Sequence, residues 1–436
     1  MIAKDLQPFS IVEDEGFRSF VKTLDPQYKI PSRKSITVGR IPALYEECHS
    51  KVKQSLDGTN SVVLTTDMWT SQTTEAYLTV SCHIIDENWQ MQAYVLETCR
   101  FSGQHIADNI SSELKRITDE WGISDKVQAV ITDNGANMVA AVHRAGWKHY
   151  PCFAHTLNLV VKDSIKALPG LLDIQHKCSA IVTFFHHSTR AADKLKEIQK
   201  QQNFPEHKLI QSVETRWNSV FYMFERLHEQ KDVVTTVLCL LGKSSLCLSE
   251  EHWSLISLSV DALRPFEEIT REISSEKTCF SVKVSTYLDI RFKSLGFRDM
   301  ANVEPVKTRL IAEMQLINQT SAPSMSAPPD PNSSSASSMA PATNSCSPAG
   351  AAAKGGIWMD FDSQVQASQQ HRTAGTDSLI EMRRYTEEKP VLRDQDPLLW
   401  WKQNEATFPS LSKLARKHLG VIATSVPSGS SPRQDS

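Results

Sequence analysis

Ser61-Val-Val-Leu-Thr-Thr-Asp67-Met-Trp69 and Val127-Gln-Ala-Val-Ile-Thr-Asp133-Asn-Gly-Ala136 each carry a short apolar run up to an aspartate that opens a polar turn. Each run reads as a buried strand that delivers one carboxylate to the same edge of a sheet. A single Asp after a strand is usually a turn former. Two of them, separated by two further strands and a helix, are more specific. If the first and fourth strands are neighbours, the two strand ends lie side by side. Such a pair could hold Mg²⁺ or Mn²⁺, with water or phosphate oxygens completing the shell. Two-metal phosphodiester chemistry places its ions about 3.5–4 Å apart.

Around this pair the pattern is mixed α/β. Ile41 to Leu56 has helical spacing, with Leu44, Cys48, Val52 and Leu56 on one face. Tyr77–Ile85 and Met91–Glu97 read as a second and third strand joined by a turn at Asp86–Asn88. Ile106–Trp121 is an amphipathic helix, Asn134–Ala145 opens another after a Gly-containing turn, and a short fifth strand is expected near His149. From His155 to about Ile273 the reading is helical: His155–Ala167, Asp173–Phe185, Thr189–Gln201, Ser219–Leu241 and Glu250–Thr270. Residues from about Thr320 to Gly356 are rich in Ser, Ala and Pro, with almost no charge, a composition that cannot bury a core. Two helices end the chain. Asp396-Pro397 suits the N-cap and first turn of one, and Ser410 can cap the other, which stops at Gly420.

The chain has 436 residues, 40% of them apolar and 22% charged. That is enough for a large core with appendages. A net charge of -3 excludes a global polycation, so any nucleic-acid contact must come from local patches. No apolar run reaches the roughly 20 residues of a membrane span, and no signal peptide opens the chain. Neither a membrane nor a small-molecule substrate is expected as a partner. The nine cysteines are scattered singly without a C-x-x-C knuckle, which reads as reduced thiols and no zinc finger.

Four words occur in order: Thr66-Asp67-Met-Trp69-Thr70-Ser71, Ile131-Thr-Asp133-Asn-Gly-Ala-Asn-Met138, Cys152-Phe-Ala-His155-Thr-Leu-Asn158 and Thr215-Arg216-Trp217-Asn218-Ser219. Near the end come Asp396-Pro-Leu-Leu-Trp-Trp401 and Phe408-Pro-Ser-Leu-Ser-Lys-Leu-Ala415. Together they resemble hAT-family DNA transposases, and among these the domesticated zinc finger BED domain-containing proteins. The resemblance implies an RNase H-like core with a mixed sheet, an all-helical insertion domain and a C-terminal helical dimerisation segment. It implies Asp67 and Asp133 as the first two acids of a DDE triad and as ligands of Mg²⁺ or Mn²⁺. Cys152 and His155 match a supporting C-x-x-H motif, although a packed Cys beside a backbone-bonded His is the alternative. Arg216 and Trp217 match a DNA-binding pair, with core packing as the alternative for the indole.

The resulting division is 1–60 N-terminal helical, 61–165 core, 166–318 shortened helical insertion, 319–356 linker, 357–428 dimerisation region and 429–436 unrelated tail. In the dimerisation region Leu398, Trp400, Trp401, Phe408, Leu411 and Leu414 form an aromatic-rich face, expected both to pack on the core and to support association. Three departures from the family pattern bear on function. The chain opens within sequence resembling the segment just after a BED finger. Ser281-Val-Lys-Val284 runs almost directly into Ser285–Lys293. After Ser428, where the pattern continues Glu-Arg-x-Phe-Ser, the chain reads Gly429-Ser-Ser-Pro-Arg433, so the third acid is missing. Glu97 is a weak substitute, and Glu381 reads as a helix-surface charge. The expectation is a nuclear, non-catalytic regulator of transcription that self-associates or pairs with a related hAT-type protein and contacts DNA or chromatin. The alternatives are an active metal-dependent transposase or nuclease, and a BED-type SUMO-ligase-like regulator.

Overall fold

Five strands make one mixed sheet in the order β3-β2-β1-β4-β5 in a computed structural model that describes residues 2–5, 7–213, 215–273, 283–320 and 374–422. The chain divides into two compact units, Met1–Val282 with Leu419–Ser436, and Lys283–His418.

The first unit opens with α1 (Glu15–Leu24), α2 (Arg33–Ser35) and α3 (Ile41–Asp57). The sheet follows, with β1 (Val62–Thr70), β2 (Ala76–Ile85), β3 (Met91–Arg100), α4 (Ala107–Glu120), β4 (Val127–Thr132), α5 (Ala136–Ala145) and β5 (His149–Pro151). β1 pairs antiparallel with β2 and parallel with β4, so the first and fourth strands are neighbours, the condition under which their two aspartates meet. The run Val62–Thr66 is buried at every position, as befits a strand covered on both faces. Edge strand β3 is largely exposed or half-buried, with Leu96 its buried residue. Leu64, Leu78, Val80 and Val130 pack with Ile110, Leu114 and Ile117 of α4 and with Ala141 and Val142 of α5. On another part of the sheet Val63 and Ile131 pack with Cys152 and Val421.

Six helices then follow: α6 (Phe153–Ala167), α7 (Pro169–His187), α8 (Thr189–Gln201), α9 (Trp217–Glu229), α10 (Lys231–Leu240) and α11 (Glu250–Ile273). Ile174, Cys178, Ile181, Val182 and Phe185 present one stripe of α7 to a core shared with Phe221 and Phe224 of α9. The single helix expected over Ser219–Leu241 is two, broken at Gln230. That side chain is fully buried; its amide donates to the Pro205 carbonyl at 3.3 Å, and its oxygen accepts from Gln199 at 3.0 Å. A buried polar group must be satisfied, and this one lies at the helix junction.

The second unit contains α12 (Lys283–Leu288), α13 (Val303–Thr320), α14 (Ala374–Glu387), α15 (Pro397–Asn404) and α16 (Pro409–Leu419). Asp396 caps α15 by accepting the Leu398 backbone N–H at 2.8 Å, as expected. The cap expected of Ser410 is supplied from elsewhere. Glu381 of α14 accepts the backbone N–H groups of Ser410 at 2.9 Å and Leu411 at 2.6 Å. Glu381 is therefore a buried cap, 8% exposed, and not a surface charge. Burial pushes its carboxyl above the usual range, against the pull of those two N–H donors.

The aromatic face expected at the C-terminus is mostly the core of this unit. Trp401, Phe408 and Leu411 are fully buried and Leu414 is 1% exposed. The Trp401 indole N–H donates to the Leu288 carbonyl at 2.9 Å, and its ring stacks on Tyr385 with centroids 5.2 Å apart. Leu398 and Trp400 are half-buried, and Leu399 is exposed. These rings face inward because α15 and α16 are short and must bury their large apolar surface against α12 and α14. The Ser/Ala/Pro linker and the tail 429–436 lie outside the described residues, as do Ser281 and Val282 of the junction at Ser281–Val284.

Candidate active site

Asp67 lies inside β1, not beyond its end: it pairs with Thr79 of β2, and the strand continues to Thr70. Asp133 directly follows β4. Thr65 pairs with Ile131 across the parallel strands. Each aspartate is two residues further along its chain, hence on the same side as that pair. The structure thus brings the two half-buried carboxylates to one edge of the sheet.

Burial first, and then the charge of Asp133, hold the Asp67 carboxyl above the usual carboxylate range. The Met68 backbone N–H and His155 pull the other way. His155 is therefore within electrostatic reach of the pair. It lies in the first turn of α6, whose N-cap is Cys152. Cys152 is 2% exposed and packs with Val63, Ile131 and Val421. Its backbone N–H donates to the Thr132 carbonyl at 2.8 Å, so it fixes the start of α6 beside the end of β4. Cys152 holds the helix, and His155 is the half-buried member of the motif.

The turn after Asp133 is built by its own polar groups. Asn134 adopts a left-handed conformation with φ 69°, which Asn tolerates better than most residues. Asp133 Oδ1 accepts the Gly135 backbone N–H at 3.1 Å. The Asn134 amide donates to Thr156 Oγ1 at 3.4 Å, tying this turn to α6.

One turn beyond His155, Asn158 reaches the next motif. Its nitrogen donates to the Thr215 carbonyl at 3.3 Å, and its oxygen accepts the Trp217 backbone N–H at 3.0 Å. The words around His155 and Arg216 are thus joined through one amide. Arg216 is exposed at the N-cap of α9. Trp217 is 3% exposed and packs in the helical core, edge-on to Phe266 with centroids 6.5 Å apart. The stacking role expected of Trp217 finds no open ring face here.

An open indole lies elsewhere. Trp69, two residues past Asp67 on the same face of β1, is 44% exposed and stacks on Tyr77 with centroids 4.7 Å apart. Its N–H donates to Thr79 Oγ1 at 3.4 Å. The alternation of β1 could have identified Trp69 as a neighbour of Asp67, since residues i and i+2 share a face.

Two carboxylates crowded against each other are a hard oxygen donor set whose repulsion a dication would relieve, which fits Mg²⁺ or Mn²⁺. Asp67 and Asp133 would hold such an ion, with water or phosphate oxygens supplying the remaining ligands. Among the described residues, the one group of three His, Cys or acidic side chains with ligand atoms within 4.8 Å of one another is Glu97, Cys99 and Glu113. That group is an ion-pair network: Arg116 donates to Glu97 at 2.6 Å and to Glu113 at 2.8 Å. Glu97, the weak substitute for the third acid, is thereby committed to Arg116 on edge strand β3. β2 separates it from β1.

No described helix is long and apolar enough to cross a membrane. Residues 65–146 match the ZBED1 RNase-like domain, residues 150–262 the ZBED1 RNase-like helical domain, and residues 381–434 the hAT family C-terminal dimerisation region. The last match extends into the tail 429–436. Zinc finger BED domain-containing protein 4 of Homo sapiens is 26% identical across 98% of this chain, which spans 40% of that protein. Zinc finger BED domain-containing protein 6 of Mus musculus is 28% identical across 64% of the chain, which spans 30% of it. Putative AC transposase of Zea mays is 29% identical across 61% of the chain, which spans 35% of that protein. The sheet order, the paired aspartates and these matches agree, and the chain belongs to the hAT transposase-derived proteins related to the zinc finger BED domain-containing proteins.

Proposed function

We propose that this chain is a domesticated, non-catalytic hAT transposase-like nuclear protein that regulates transcription through self-association and contact with DNA or chromatin. The observation that carries this reading is the acid pair itself. Asp67 and Asp133 stand together, and among the described residues no third His, Cys or acidic side chain joins them within 4.8 Å. Two carboxylates bind a reluctantly dehydrating ion weakly and leave developing charge unbalanced. Exposed Arg216 offers a phosphate contact, and the Trp69–Tyr77 stack offers a surface for an unpaired base. The match to the hAT dimerisation region supports self-association. The test is nicking of plasmid DNA with Mn²⁺ by the intact chain beside Asp67→Asn. No nicking above background is expected. Nicking that Asp67→Asn abolishes would overturn the reading.

The juxtaposition of Asp67, Asp133 and His155 favours a second reading, a metal-dependent DNA transposase or nuclease. A bound dication would supply charge stabilisation for phosphodiester cleavage. The chain's own residues would hold the ion, position His155 beside it and hold phosphate at Arg216. The same nicking experiment separates the two readings.

A further inference from the structure

The sequence scatters its cysteines singly, but the fold pairs two of them. Cys239 Sγ and Cys247 Sγ lie 3.9 Å apart, with the residues eight positions apart in sequence. Cys239 is near the C-terminal end of α10 and is exposed. Cys247 directly follows the 3-10 turn Ser244–Leu246, in extended backbone with φ -65° and ψ 138°. Gly242, at φ 66°, reverses the chain between them, a conformation that glycine adopts without the steric cost other residues bear.

We propose that Cys239 and Cys247 are an oxidisable dithiol that closes to an intrachain disulfide on reaction with a low-molecular-weight disulfide. Closure requires the sulfurs to approach to about 2.05 Å. The Cys247 backbone N–H donates to the Ser244 carbonyl at 3.0 Å at the close of the 3-10 turn, and Cys239 is one residue from the end of α10, so the side chains need rotate only within a short turn to close the gap.

The chemistry proceeds in two exchanges. The exposed Cys239 thiolate attacks one sulfur of the small disulfide. A Cys239 Sγ–S bond forms, the small S–S bond breaks, and the first small thiolate leaves and takes a proton from water. Cys247 then gives its proton to water and attacks Cys239 Sγ. The intrachain bond forms and the second small thiolate leaves and is protonated. Two protein thiols lose two electrons in total, and one small disulfide is reduced to two thiols. Cys239 is exposed and Cys247 half-buried, so the small disulfide reaches Cys239 first, which assigns first attack to Cys239 and resolution to Cys247.

The other described thiols are less suited. Burial pushes Cys82 and Cys178 up to about 12, and Cys99 rises to about 11 through burial and its bond to Glu113. Cys152 is packed against β1 and β4, and Cys48 is exposed on α3.

The test is to incubate the full chain with oxidised glutathione, quench with acid and map tryptic peptides by mass spectrometry. Lys243 is the one tryptic site between the two cysteines, so a disulfide leaves the flanking peptides joined. The expected result is this joined pair with both thiols lost together, while Cys247→Ser accumulates a stable glutathione adduct on Cys239. Far-UV circular dichroism checks that the variant folds. A persistent adduct on Cys239 in the unmodified sequence, or joined peptides shared indiscriminately among Cys48, Cys279 and Cys346, would overturn the proposal.

Discussion

Asn158 clamps the start of the helix that begins at Trp217: its side-chain oxygen accepts the Trp217 N–H at 3.0 Å while its nitrogen holds the Thr215 carbonyl at 3.3 Å. This amide sets where exposed Arg216 stands relative to His155, one turn away on the same helix. Asn158→Ala removes a cap and leaves an N–H without its partner, so it should cost about 1–2 kcal/mol in urea unfolding. Asn158→Asp keeps the acceptor for Trp217, loses the donor to Thr215, and should cost less than Asn158→Ala. Equal losses for the two variants would show that the Trp217 bond is not the main contribution.

Asp67 should be a liability to stability at neutral pH. Burial and Asp133 raise its carboxyl in the folded state. Its stabilising contribution is therefore complete below the ordinary carboxylate range and is lost as pH rises through the folded value. Asp67→Asn removes that loss and should raise the melting temperature at pH 7. Because the site is partly exposed to solvent, the gain should be a few tenths of a kcal/mol, at most about 1. A lower melting temperature in calorimetry would contradict the crowded-carboxylate picture.

Association and folding should separate within the C-terminal helices. Trp401 is fully buried and bonded to Leu288, so Trp401→Ala should cost about 3–5 kcal/mol whatever the oligomeric state. Leu399 is 53% exposed. Leu399→Asp should change stability by less than about 0.5 kcal/mol, and sedimentation of this variant asks whether α15 contributes to an interface. Loss of stability in Leu399→Asp equal to that in Trp401→Ala would refute this separation.

Glu381 should act through its oxygen and not its charge. Glu381→Ala strips the cap from Ser410 and Leu411 and should cost about 1–2 kcal/mol. Glu381→Gln retains an acceptor and removes a buried charge. Burial raises the Glu381 carboxyl, so its contribution is complete at acid pH and declines as pH rises through the folded value. At pH 7 Glu381→Gln should be at least as stable as the original sequence, a comparison that parallel thermal melts provide.

Glu313 should show the opposite pH dependence. Burial pushes its carboxyl up, but His418, Arg309 and Lys417 outweigh that and hold it well below the usual range. His418 donates to it at 3.1 Å and Arg309 at 2.8 Å. Its contribution is full above about pH 4.3, the ordinary glutamate value, and fades as pH falls through the folded value. Glu313→Gln should cost about 2 kcal/mol at pH 7. The difference should shrink on acidification, as read from urea midpoints; a difference independent of pH would refute it.

The sheet and its acid pair were legible in the chain because alternation and buried runs are local signals, and Asp67 and Asp133 sit at the ends of such runs. Helices α3, α6, α7 and α8 were legible for the same reason, through apolar spacing. Local spacing could not separate α9 from α10, since the break at Gln230 is stabilised by Gln199, which is distant in sequence. Nor could it tell that Trp217 points into a core while Trp69 stays open, because both sit beside polar residues.

The sequence by itself determined the family, through its short motifs, and, through periodicity, the β-strand carriers of the two aspartates and the helices between His155 and about Ile273. Tertiary structure alone decided what each side chain does. It buried Trp401, Phe408, Leu411 and Leu414, turned Glu381 into a cap, joined Asn158 to Trp217 and brought Cys239 to Cys247. The physical reason is that burial, helix capping and thiol proximity depend on which distant segments meet, and a linear pattern does not contain that information.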